Sequence, residues 1–210
     1  MGLFFNKIKK IWQKKGIQTN NIVVSIPDYY TAQERIAMLE SVKISGLNCL
    51  GLLNESSAIC LVYGIQRLKE FDSNKKRNVI FIDFGHSHTS IILCSFTNKL
   101  FKIECVLSDR FCGARNFDYF ISQKVSYEFL RKNKKPIDSP KEKYILLESV
   151  NKIRKNLSGN KEASFHIDNL IDENDCDYHL KRDDFEKIIE PVLQNFENLC
   201  QKFLEKSKLD

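Results

Sequence analysis

The segment Ile80-Phe-Ile-Asp83-Phe-Gly85-His-Ser-His-Thr-Ser90, running on into IILCSF, constrains this chain more than any other. An apolar, β-branched run ends in an acid, a glycine permits a tight turn, and a second apolar run follows. This reads as strand, turn and strand, with Asp83 at the end of the first strand. Backbone N–H groups of such a turn cradle phosphate oxygens. A carboxylate beside them holds magnesium, directly or through water. An ordinary hairpin with an Asp turn has the same pattern, and D-x-G by itself does not separate the two. His86 and His88 stand i, i+2 in the turn with no third ligand nearby, a poor match to a zinc site.

The flanking elements follow from periodicity and punctuation. NIVVSI, residues 21–26, is a β-branched run stopped by Pro27. Thr31-Ala-Gln-Glu34 is a capping box opening a helix that ends at Gly46. A strand is expected over 47–53 and a buried helix over 56–71, through AICLVYGI. Residues 72–77 form a charged loop that divides two α/β units. The strand 78–84 is more apolar than the first two and is expected to be central. With 89–96 and 99–107 it makes an antiparallel meander, because the connections are short. Gly113 precedes a helix carrying Phe117, Ile121, Val125 and Phe129. A basic loop is expected over 132–138. Ser139-Pro-Lys-Glu142 is a second capping box, with Pro at the first helical position. Its helix aligns Leu146, Val150, Ile153 and Leu157. Short strands near 164–170 and 177–180 precede a last helix from about Arg182, expected to break at Pro191.

Composition narrows the function classes. The chain has 210 residues and a net charge of +6, with 33 basic and 27 acidic side chains. Five lysines and no acid fall in the first 20 residues, so the remainder carries 28 basic against 27 acidic groups, a net of +1. A nucleic-acid role for the whole domain has no support in that balance. No apolar run approaches a membrane span of about 20 residues. Leu3, Phe4, Ile8, Ile11 and Trp12 recur at helical spacing, so the first segment is expected to dock on the fold as an amphipathic helix. Seven cysteines without a C-x-x-C pair read as buried thiols of a reducing compartment. There is neither a G-x-S-x-G elbow nor a G-x-x-x-x-G-K-[ST] loop. Glu55, between a strand and an apolar helix, suits a general base or water-positioning acid. It equally suits a carboxylate interacting with a helix dipole.

Several strings together resemble the nucleotide-binding domain of the 70-kDa heat-shock chaperone superfamily. VSIPDYYTAQERIAMLESVKISGLNCLGLLNESSAICLVYGI is similar to the family's strand, proline, helix, "AGLN", strand, "NE" and "A-x-A-YG". NVIFIDFGHSHTSIILCSF resembles its second phosphate loop, GARNFD its "GG-x-x-FD", and KIRKNLSGNKEASFHID its "K-x-x-LS" helix and following strand. Asp83-Phe-Gly85-His86-Ser87 resembles the "D-x-G-H-S" of the larger 110-kDa class, whose members bind ATP and act as nucleotide exchange factors and holdases for 70-kDa chaperones.

The resemblance implies an α/β chain, part of the actin-like ATPase (ribonuclease H-like) fold, with a peripheral small α/β subdomain. Residues 1–71 would be part of lobe I. Residues 78–115 and 188–210 would be the lobe II core, and 116–187 the peripheral subdomain. It implies ATP or ADP with Mg²⁺ as cofactors. Asp83 would lie near magnesium-bound waters and Glu55 would be the catalytic-site carboxylate. Gly85, His86, Ser87, His88 and Gly113 would form the phosphate-binding backbone. Arg154, Lys155 and Ser158 would contact adenosine, and Pro27 and Arg35 would signal between domains. Implied partners are a 70-kDa chaperone, with the 132–135 tip as a contact, and unfolded clients only through domains outside this chain. Neither nucleic acid nor membrane is implied, and the location would be cytoplasmic. His88, Ser90, Ala114 and Asn151 depart from the family's usual Thr, Asp, Gly and Glu. The family's first phosphate loop and catalytic lysine would precede residue 1, and its "GG-x-x-R" turn would follow Asp210. The chain is therefore expected to be an internal piece with weak nucleotide binding and little hydrolysis on its own. The alternative is an interaction module of the same fold that has lost its nucleotide.

Overall fold

A computed structural model describes residues 1–73 and 75–208; of the charged 72–77 loop, Asn74 lies outside the described residues, as do Leu209 and Asp210. The elements run α1 Gly2–Lys14, β1 Asn21–Ile26, α2 Ala32–Ile44, β2 Asn48–Asn54, α3 Glu55–Gln66, a 3-10 turn Leu68–Glu70, β3 Arg77–Phe84, β4 Thr89–Phe96 and β5 Phe101–Asp109. Then come α4 Ala114–Asn133, α5 Pro140–Asn156, β6 Glu162–Ile171, β7 Asn174–Lys181 and α6 Arg182–Ser207. They divide into two compact units. The first is Met1–Ile82 with Ser90–Ser108 and the end of α6; the second is Asp83–Thr89 with Asp109–Glu205.

In the first unit β1 and β2 pair in parallel, Asn21 opposite Asn48 and Ile26 opposite Asn54. A parallel pair needs a crossover, and α2 supplies it. Thr31 and Glu34 make the expected reciprocal cap, and Gly46 takes φ +70° just beyond the helix, where a side chain would be strained. The first helix docks as expected: Lys9 Nζ donates to Gly46 O at 2.9 Å, and Phe5 joins Val42 and Leu47 in a small core with Trp12 packed against it. The buried aromatic of α1 is Phe5, however, while Leu3 and Phe4 stay exposed. The inward stripe of this helix is set by where α2 crosses it, not by the longest apolar run.

The helix 56–71 is shorter and less buried than expected. It ends at Gln66, and only Ser56 and Cys60 are buried, because one face alone packs inward. Leu61, Val62 and Ile65 face outward. Cys60 belongs to a second core with Phe71, Ile92, Cys94 and Phe96. Phe71 and Phe96 stack with centroids 5.1 Å apart, and Tyr63 meets Phe96 at 5.3 Å; such pairs add roughly 0.5–1.5 kcal/mol beyond their burial. The meander has order β3-β4-β5. Its central strand is β4, buried along its whole length, and not β3, whose Ile80 and Ile82 are exposed. Consecutive hairpins put the middle strand in the middle whatever the apolar content of its neighbours.

In the second unit a core forms between two helices and the β6–β7 hairpin. Ile121, Val125 and Phe129 of α4, Leu146, Val150 and Ile153 of α5, and Cys176, Tyr178 and Leu180 of β7 close on one another. The Ser139–Glu142 box caps α5 as expected. Helix α4 runs on to Asn133 and ends on Lys134 at φ 57°, so the basic 132–138 segment begins as helix, not loop. The strands β6 and β7 are longer than the expected 164–170 and 177–180. Helix α6 passes through Pro191 without a break. Proline removes one backbone donor there, and burial of Ile189, Val192, Leu199 and Phe203 along the same helix carries it across the gap.

All seven cysteines are free, five of them buried. Burial pushes the Cys60, Cys94 and Cys112 thiols up and raises Cys176 to about 11. A raised thiol is neutral at pH 8, and the thiolate is the nucleophile. Burial also shields the sulfur from reagent, so at pH 8 a thiol reagent is expected to label half-buried Cys49 first, Cys200 more slowly because burial raises its thiol too, and the five buried cysteines only after urea. Prompt labelling of all seven in folded protein would contradict the buried arrangement.

Candidate functional site

Strand β3 carries Asp83, half-buried, to the mouth of a turn closed by Gly85 N–H donating to His88 O at 2.9 Å. Helix α4 starts against this turn. Ala114 N–H donates to Gly85 O at 3.0 Å and Arg115 N–H to His86 O at 2.9 Å. N–H and C=O point in opposite directions across a planar trans peptide. With the Gly85 and His86 carbonyls turned toward α4, the N–H groups of His86 and Ser87 therefore face away from it. Two adjacent amides aimed one way, with a carboxylate close by in the chain, form the kind of concavity that takes an anion.

Gly113 makes the approach possible. A Cβ there would lie 2.7 Å from His86 O and from Ser87 C, and 2.8 Å from His88 N. Its φ of −161° is extended, so it is closeness, not conformation, that demands glycine. Thr89 Oγ1 donates to Cys112 O at 2.7 Å and fixes the other side of the same junction. Phe84 and Phe117 stack at 5.6 Å beneath it.

The α5 residues divide. Arg154 donates from Nε to Asp118 Oδ1 at 2.5 Å and from Nη2 to Asp118 Oδ2 at 3.2 Å, and Asn151 Nδ2 donates to Asp118 Oδ2 at 3.0 Å. Asp118 is 2% exposed. Lys155 and Ser158 are exposed. Lys155 borders a cleft of about 340 Å³ with His86, Arg115, Asp118 and Asn151. Arg154 and Ser158 border a second, of about 350 Å³, with Phe117, Arg182 and Phe185. Arg182, expected only as the start of the last helix, donates Nη2 to Leu157 O at 2.6 Å and to Asn160 O at 2.9 Å, tying the end of α5 to the start of α6.

Pro27, Arg35 and Glu55 belong to the first unit, where they gather at the carboxyl ends of β1 and β2. Arg35 donates Nε to Tyr30 O and Nη1 to Asn54 Oδ1, each at 3.0 Å. Glu55 is the first residue of α3. The cap of that helix is supplied from a distance: Asp28 accepts from Ser56 N at 3.1 Å and from Ser56 Oγ at 2.5 Å. Sequence reasoning missed Asp28 because its partner is 28 residues away. The signal available was an acid directly after the strand-ending Pro27. Ser90, where the resemblance expects a second acid, is 1% exposed and pairs its hydroxyl with Ser108 Oγ at 2.8 Å.

An Asp-x-Gly turn with two aligned amides does not by itself separate a nucleotide site from an ordinary hairpin, and comparison with known proteins supplies the family. The family model described as Hsp70 protein matches residues 2–210. The chain belongs to the Hsp70 family. It is 32% identical to heat shock 70 kDa protein 16 of Arabidopsis thaliana, over 100% of this chain and 28% of that protein. It is 31% identical to heat shock 70 kDa protein 4L of Homo sapiens, over 99% of this chain and 25% of that one. It is 30% identical to a 97 kDa heat shock protein of Strongylocentrotus purpuratus, over 89% of this chain and 21% of the relative. The chain thus spans between a fifth and three tenths of these curated relatives. The fold is the part of the Hsp70 actin-like ATPase domain that these residues represent. The Asp83 turn and the Gly113 junction both lie within the second compact unit. The residues present fit a nucleotide phosphate and a hydrated magnesium ion: a carboxylate, two aligned amides, and a glycine that lets the start of α4 close against the back of their turn.

Proposed function

We propose that this chain forms part of the nucleotide site of a heat-shock 70/110-type chaperone, binding ADP or ATP with Mg²⁺ and hydrolysing it little. The Gly113 junction, which only a residue without a Cβ can make, is the observation that carries the reading. In it Asp83 holds magnesium through water, and the turn Gly85 to His88 receives phosphate oxygens through its His86 and Ser87 amides. Lys155 on α5 and Ser158 just beyond its end, both exposed, meet the adenosine. Glu55 positions the attacking water. Pro27 and Arg35, the latter bonded to Asn54 at the β2 end, relay the state of the site. Bound nucleotide supplies the phosphoanhydride; this chain's residues orient it and neutralise its charge. Poor hydrolysis follows from the substitutions: Ser90 is buried in a hydroxyl pair, and His88 and Ala114 stand where the family uses Thr and Gly. Residues 1–71 act as part of lobe I, 78–115 with 188–210 as the lobe II core, and 116–187 as the peripheral subdomain.

Calorimetric titration with ADP and ATP plus magnesium tests this. Asp83→Ala is expected to weaken magnesium-dependent binding about tenfold, near 1.4 kcal/mol, without unfolding the protein. Steady ATP turnover abolished by Asp83→Ala would contradict the low-hydrolysis part. Binding indifferent to Asp83→Ala would remove the site.

A second reading has its own observation. Arg154 spends Nε and Nη2 on buried Asp118, so one expected adenosine contact serves the core. This favours an interaction module that docks on a 70-kDa chaperone in a nucleotide exchange role in the cytosol. The Asn133–Pro136 tip, with Lys134 exposed and Lys135 paired to Asp172 at 3.0 Å, is its contact. Pull-down with a nucleotide-free 70-kDa partner, lost in Lys134→Glu/Lys135→Glu and weakened by salt, is the expected result. Nucleotide-independent pull-down without calorimetric binding would favour this reading over the first.

A further inference from the structure

The β6–β7 hairpin has an outer face that none of the roles above uses. Strand alternation buries Ile167, Cys176, Tyr178 and Leu180 and sends His166, Asp168, Asp175 and Asp177 outward. His166 stands directly opposite Asp177 in the antiparallel register. The register shifts between Ile167 and Ile171, with Asn169 at φ 48°, and Asp168 and Asp175 come to the same end of the imidazole. One nitrogen or oxygen from each of His166, Asp168 and Asp175 lies within 4.8 Å of the others.

We propose that this face binds a first-row divalent cation of the zinc type, with His166 Nε2 and the carboxylates of Asp168 and Asp175 as ligands and solvent completing the shell. The donor set of one imidazole nitrogen and two carboxylate oxygens suits zinc-like ions, whereas magnesium prefers oxygen and keeps its water. Two ligands are already oriented from behind. His166 Nδ1 lies 2.6 Å from Asp177 Oδ1, the carboxylate–histidine arrangement that fixes a ring for a metal on its far nitrogen. Asp175 accepts the Asn169 N–H on Oδ1 at 2.8 Å, leaving Oδ2 for the ion. His166 Nε2 is 2.8 Å from Asp168 Oδ1; the ion takes the place of the proton between them, and that proton leaves to solvent. The same hairpin carries an internal control in His179, which pairs with the Glu162 carboxylate at 3.4 Å and is not part of the cluster.

The test is titration of the whole chain with ZnCl₂, followed by calorimetry and by the NMR signals of the four histidines. Binding is expected to shift His166 first and leave His86, His88 and His179 in place. His166→Ala, Asp168→Asn and Asp175→Asn are each expected to lose tenfold or more in affinity, and Asp177→Asn about tenfold, while His179→Ala and MgCl₂ change nothing. The side chains are exposed, so these variants leave the core intact. Zinc affinity that survives His166→Ala, or zinc that moves another histidine or only the cysteines, would overturn the proposal. So would no binding in the high micromolar range.

Discussion

Gly113→Ala is expected to unfold the second unit earlier and to abolish nucleotide binding together. The new methyl carbon would sit 2.7–2.8 Å from three backbone atoms of the 86–88 turn. Backbone cannot give way as a flexible side chain can, so either α4 or the turn must move. Overpacking of this kind costs about 1–3 kcal/mol, and with backbone on both sides the upper end applies. For a chain of this size about 3 kcal/mol is a fall in Tm of roughly 6–12 °C. The accompanying loss at the site follows because moving the turn breaks the Ala114 and Arg115 hydrogen bonds that aim the His86 and Ser87 amides. Thermal melting with ADP titration checks both. Gly159→Ala, where nothing lies within 4 Å, is the control. A Gly113→Ala protein that melts normally and binds ADP normally would show that the junction is looser than the geometry requires.

Asp118→Ala is expected to be the most destabilising single change in the second unit. Its carboxylate is 3% exposed and its guanidinium partner 17% exposed at the side-chain level. Removing the acid strands the Arg154 charge and the Asn151 amide where little water reaches them. Breaking such a pair costs about 3–5 kcal/mol, chiefly through the charge left behind. The double variant Asp118→Leu/Arg154→Met is therefore expected to recover much of the loss, because a well-packed apolar pair often equals a buried ion pair. Urea unfolding of the single, double and Arg154→Met proteins measures the coupling. Additive losses with no recovery would show that the pair is not the source of the cost.

Legibility in the sequence varied with the range of the interaction. The two capping boxes, Thr31–Glu34 and Ser139–Glu142, involve partners three residues apart, and both are as expected. The inward row of α5, Leu146, Val150 and Ile153, follows from helical period alone. The Asp83-x-Gly85 turn between apolar runs is likewise local, and the meander around it follows from short connections. Asp28 capping α3 and Asp118 holding Arg154 join residues 28 and 36 apart, and no local pattern marks either.

The chain's order of residues determined the order of its elements, the two capping boxes and the acid-glycine turn, because each depends on neighbours within one turn of helix or one hairpin. Tertiary structure decided which strand of the meander is central, which face of α3 is inside, that α6 passes through Pro191, and that Gly113 touches the turn. It also decided that Arg154 faces Asp118 and that His166 meets three carboxylates on one hairpin face. These depend on where separate segments are brought together by burial, a property of the whole core and of no single stretch of it.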